Sequence, residues 1–154
     1  MALALDRTIA PGIKVPEPQF AQETDSKLDI SVVFTSRDAT LAALKEAGNL
    51  ANNLGGRINL IVPQLVPYPL PLSDPPVRID FNERRMRVIA SNSRIETRVS
   101  IYLCRNLVET LQKILKPHSL VIVGSHKAWW PTAEKRLAAK LRTFGHQVVV
   151  TERE

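Results

Sequence analysis

Between Asp29 and Glu152 the chain alternates between two hydrophobic periods, and this alternation narrows the fold to one class. Five short runs are rich in β-branched residues: DISVVFTS (29–36), RINLIVPQLV (57–66), IETRVSIYLC (95–104), SLVIVGS (119–125) and HQVVVTE (146–152). Between them lie segments whose apolar residues return every three or four positions, as one face of a helix does. In residues 37–56 the stripe is Leu41, Leu44, Ala47, Ala51 and Leu54, and Gly55-Gly56 stops it. A second helix is predicted over 77–92, around Met86 and Ile89. A third, with Leu107, Leu111, Ile114 and Leu115, ends at Pro117. A fourth, over 131–145, has Pro131 at its start and Gly145 just past its end.

The order β-α-β-α-β-α-β-α-β calls for a parallel sheet covered by helices on both faces, a three-layer α/β domain. Runs such as LVIV and VVV suit central strands that are apolar on both sides. Residues 1–28 differ: Pro, Gly and polar residues mix without a period, so a flexible N-terminal arm is expected before a folded domain of 29–154. Ile13, Val15 and Phe20 are its candidate anchors. Six of the eleven prolines fall between Pro63 and Pro76, which predicts an extended loop beginning at Val62 and Pro63.

No apolar run approaches the ~20 residues needed to span a bilayer, and MALAL is too short for a signal-peptide core. A cytoplasmic protein with no membrane partner is therefore expected. Cys104 is the single cysteine and reads as a small buried residue, the alternative being a reactive thiol just before a helix N-terminus; a thiolate metal site is not expected. The net charge of +6 leaves anionic partners open. Its densest cluster, Arg84, Arg85 and Arg87 with Arg78 and Arg94 nearby, lacks interleaved aromatics, so a solvated helix face is expected and nucleic acid is not.

Open parallel sheets bind ligands beyond the carboxyl ends of their strands, where the strand order reverses. For a sheet of order 3-2-1-4-5 that crevice lies between the first and fourth strands. It would be lined by Thr35, Ser36 and Arg37, by Gly124, Ser125, His126 and Lys127, and by Val62 at the start of the proline wall.

Over residues 29–152 the chain resembles the universal stress protein family. The resemblance is carried by VVFTSRDATLAALKEAGNLA, LIVPQLVPYPLP, SLVIVGS and HQVVVTE. It implies a Rossmann-like doubly wound sheet of five parallel strands in the order 3-2-1-4-5. Nucleotide-binding members carry Gly-x-x-Gly, about nine residues and then Gly-Ser/Thr after the fourth strand, because glycines let backbone N–H groups approach phosphate. Here Gly124 is followed by SHKAWWPTAEKRLAAKLRT, with no second glycine before Gly145. Those members also end the first strand in Asp, where this chain has Thr35 or Ser36. The site is thus expected to be vestigial, without a bound cofactor.

Lys127 and His126 remain candidates for an anion site at the start of the fourth helix. Trp130 continues the stripe Ala133, Leu137, Leu141 and Phe144 and is expected to pack; Trp129 is the candidate for a partner contact or for covering the empty crevice. Asp38, Ser36 and His126 could be drawn as a triad, but no Gly-x-Ser-x-Gly elbow is present and no enzyme activity is expected. The last strand, QVVVTE, is an apolar edge that invites pairing with a second copy. These features lead to the expectation of a non-catalytic stress-response or regulatory protein acting through protein contacts as a homodimer. The alternative is a sensor of a nucleotide or another anion.

Overall fold

A computed structural model describes residues 3–7, 28–91, 93 and 95–153. In chain order its elements are β1 (Leu3–Arg7), β2 (Asp29–Val33), α1 (Arg37–Leu54), β3 (Arg57–Leu65) and α2 (Ile79–Ser91). They continue with β4 (Thr97–Cys104), α3 (Leu107–Ile114), β5 (Leu120–His126), α4 (Ala133–Thr143) and β6 (Gln147–Arg153). The sheet order is β1-β4-β3-β2-β5-β6. The five strands from β2 to β6 are all parallel and stand in the predicted order. The chain is an α/β Rossmann-like fold in three layers.

One strand was not foreseen. Leu3–Arg7 pairs antiparallel with β4, from Leu3 opposite Leu103 to Arg7 opposite Val99, and extends the sheet at that edge. The expected arm thus contributes a strand. The anchors Ile13, Val15 and Phe20, like Arg94, lie outside the described residues.

The strand pleat sends alternate residues to opposite layers. Ile30, Val32, Ile58, Leu60, Val62, Val99, Ile101 and Ile122 face α1 and α2 and form one buried cluster. Val33, Ile61, Val121 and Val123 face α3 and α4 and form the other, closed by Leu111, Leu137 and Leu141. Each such side chain withdrawn from water stabilises the fold by about 1.5–3 kcal/mol.

Helix α1 is seated by small residues. Its buried face is Ala39, Ala43, Ala47 and Ala51 with Thr40 and Leu44, while Leu54, expected in the stripe, is exposed. Alanine at every fourth position lets the helix lie close to the sheet. Ser36 caps its first turn, and Gly55, at φ 69°, ends it with its N–H donated to the Ala51 carbonyl.

Strand β3 runs through Pro63 to Leu65, so the loop begins later than the sequence suggests. Proline is tolerated there because β2 has ended: its last rung is Val33 opposite Ile61, and beyond it β3 pairs only with β4. The proline passage that follows is well held. Arg105 donates to the carbonyls of Val66 (3.0 Å) and Leu70 (2.8 Å) and lies 3.9 Å from the centroid of the Tyr68 ring. Gln64 donates to Val77 (2.7 Å) and accepts from Asn82 (2.9 Å). Among the described residues, no helix is long and apolar enough to cross a membrane.

At the amino ends of β5 and β6, His146 is buried and its Nδ1 accepts the Ser119 N–H at 3.1 Å. His118 Nδ1 lies 3.2 Å from the Gly145 carbonyl. Burial holds the His146 pKa below its ordinary value, and the neighbouring His118 lowers it further. The unfolded chain therefore takes up the proton first, near pH ~6.5. Stability is complete above that pH and declines as pH falls below it. The expected result is a urea midpoint that drops between pH 7.5 and 5. His146→Asn, which keeps an acceptor at the δ position but cannot titrate, should drop less.

Candidate functional site

The strand order reverses between β2 and β5, so the carboxyl ends of these two strands mark the place where this fold holds ligands. Their last shared rung is Val33 opposite Val123. The residues just beyond it bind one another. Thr35 Oγ1 donates to the Gly124 carbonyl at 2.9 Å, and the Thr35 N–H donates to Thr40 Oγ1 at 3.2 Å. Ser36 Oγ accepts the Ala39 N–H at 3.4 Å and stands 3.2 Å from His126 Nε2. Two ion pairs add to the closure: Arg153 with Asp38 at 2.9 Å, and Lys135 with Glu152 at 2.5 Å. Lys135 holds the Glu152 carboxyl below its usual pKa.

Gly124 occupies the position of a phosphate-loop glycine, yet it serves another purpose. It points to the α1 layer, as Ile122 does two residues earlier. A Cβ there would lie 2.1 Å from the carbonyl oxygen of Ala39 and 2.5 Å from its carbonyl carbon. The first turn of α1 rests directly on the backbone of β5. Gly124 has an ordinary negative-φ backbone, so its need is for space and not for a left-handed conformation. Across the ladder from it stands Thr151, whose Oγ1 is buried with no hydrogen-bond partner among the described residues.

The remaining predicted residues divide between core and surface. Val62 is a β3 core residue, 2% exposed, and cannot line a crevice. Ser125 is fully buried, with its hydroxyl 2.9 Å from that of Thr132, the cap of α4. His126 is the exposed end of β5. Lys127 is exposed, and its N–H donates to the Arg153 carbonyl at 3.1 Å. Of the three residues drawn as a triad, Ser36 and His126 meet, while Asp38 is held by Arg153.

Trp130 does not pack as expected. It is 82% exposed, and Trp129 is wholly exposed. The reason is the position of the cap. α4 starts after Thr132, so Trp130 precedes the helix and the helical stripe begins only at Leu137. Cys104 is buried, and burial pushes its thiol pKa up, which fits a structural role. Arg84, Arg85 and Arg87 are exposed on α2; Arg87 meets Glu83 at 3.6 Å. A groove of about 710 Å³ lies between α1 and the segment entering β4, lined by Leu41, Leu44, Lys45, Gly48, Ser93 and Ile95, away from the carboxyl ends of β2 and β5.

Ala39, Thr132, Glu152 and Arg153 complete this region and were not among the predicted residues. For Ala39 the signal was present in the alanine spacing of α1, which marks a helix that approaches its sheet closely. The Asp38–Arg153 pair joins residues more than a hundred positions apart and leaves no local pattern; Lys135 meets Glu152 only because α4 returns the chain to β6. No family model matches the chain, and no curated protein does.

Gly124→Ala is expected to destabilise the protein by about 3 kcal/mol or more, since the new methyl meets backbone that a rotamer change cannot move. Urea denaturation measures it.

Proposed function

We propose that the protein is a non-catalytic, cytoplasmic regulatory protein of the stress-response kind, acting through protein contacts as a homodimer joined at β6. The observation that carries this reading is the Ala39 carbonyl seated on Gly124, at the switch point where a nucleotide's phosphates would need room. The polar groups at the mouth support it, because they are engaged with each other: Thr35 with Gly124, Ser36 with His126, Asp38 with Arg153. A ligand would have to replace these bonds before gaining its own. Among the described residues β6 is an edge strand, with Val149 36% exposed and the Val148 carbonyl accepting from Arg142 at 3.0 Å, and such an edge offers a strand for pairing with a second copy.

A second reading, a sensor of a nucleotide or another anion, draws on Thr151, whose hydroxyl is buried without a partner among the described residues. Ligand released by heating the purified protein, detected by mass spectrometry, would favour it.

Two measurements test the main reading. Isothermal titration with ATP should give binding no tighter than about millimolar, which corresponds to about 4 kcal/mol; micromolar affinity would replace this reading with the sensor. Sedimentation should show a dimer at micromolar concentration, shifted to monomer by Val149→Lys, which places charge on the seam. A wild-type monomer would refute the β6 dimer.

A further inference from the structure

The loop between β5 and α4 carries both tryptophans of the chain, and both are exposed, Trp129 at 101% and Trp130 at 82%. Tyr68, 81% exposed in the proline passage, at least has the Arg105 guanidinium 3.9 Å from its ring centroid. Indoles are the largest apolar surfaces a protein owns, and two adjacent ones left in water call for an explanation.

The loop is short and fixed at both ends. On one side the Lys127 N–H is tied to the Arg153 carbonyl, and on the other Thr132 caps α4. The Ser125 and Thr132 hydroxyls, 2.9 Å apart, close its base. Between them stands Ala128-Trp129-Trp130-Pro131, an apex with no charge. The base carries a small positive excess: Lys127, Lys135, Arg136 and Arg153 stand against Glu134, Glu152 and Asp38, with Lys135 paired to Glu152 and Arg153 to Asp38, within a chain of net charge +6.

We infer that this loop docks the protein on an anionic bilayer surface, its two indoles entering the headgroup region. The layering on the loop matches the layering of that interface. Tryptophan prefers the depth at which one end of the ring is apolar and the other wet. Lysine and arginine just behind meet anionic headgroups, each adding to the attraction. Expectation of no membrane partner rested on the lack of a spanning segment, and peripheral contact needs none. The inference is independent of the dimer and of the crevice.

Because Trp129 and Trp130 are the only tryptophans, the emission of the full-length protein reports on this loop alone. Vesicles of equimolar phosphatidylglycerol and phosphatidylcholine should shift it to the blue and sediment the protein; phosphatidylcholine alone should do neither, and added salt should weaken the effect. Trp129→Ala and Trp130→Ala should each lower vesicle partitioning about tenfold, with the urea midpoint unchanged because the side chains support no core. The double variant should stay in the supernatant.

Four results would overturn the inference. One is no shift with the wild-type protein, a measurement that needs no variant. A second is a double variant that still sediments, which would mean attachment by charge alone. The others are a blue shift that grows with protein concentration without lipid, assigning the indoles to a second copy, and one produced by a single-stranded oligonucleotide and not by vesicles.

Discussion

The approach of the α1 backbone to that of β5, with Ala39 resting on Gly124, is the contact on which the two halves of this protein depend. The sheet is continuous across the switch point only through the β2–β5 rungs. Helix α1 lies over that join and packs more extensively on β5 and β6 than on β2 and β3, the strands it connects. Its alanine face permits this, since larger side chains at 39, 43, 47 and 51 would lift the helix off the sheet. The hydrogen bonds of Thr35 and Ser36 and the Asp38–Arg153 pair then fasten the same join from its polar end.

A close contact at that point has a chemical consequence. In doubly wound sheets the switch point holds ligands because the crossovers diverge there and expose helix N-termini. Here the diverging elements are tied across the gap by side chains of their own. The side chains of Thr35, Ser36 and Asp38 are engaged with Gly124, His126 and Arg153 across that gap. The exposed apolar surface at this level lies outside the switch point, at Val149 on the β6 edge and at Trp129 and Trp130 in the loop before α4.

Gly124, two residues before the end of β5, shows how one residue can be read in two ways. In the sequence, Gly124-Ser125 after an apolar strand resembles the opening of a phosphate loop, and the missing second glycine argues for a degenerate one. The three-dimensional reason for Gly124 is steric, while Ser125 has turned inward to the α4 cap. Trp130 was misjudged for a related reason. Helical spacing placed it on the α4 stripe, but the spacing does not say where the helix begins, and Thr132 caps it two residues later.

The strands from β2 to β6, the four helices, the parallel order and most of the core were legible in the sequence. They follow from local periodicity: β-branched runs for strands buried on both faces, threefold and fourfold spacing for helices, and glycine or proline at their ends. Tertiary structure alone decided three things. The pairing of Leu3–Arg7 with β4 depends on an edge formed by residues nearly a hundred positions away. Pro63 could enter β3 only because β2 stops at Val33. The closed state of the switch point rests on Ala39 meeting Gly124 and Asp38 meeting Arg153, contacts between distant segments that exist only after the sheet has brought them together.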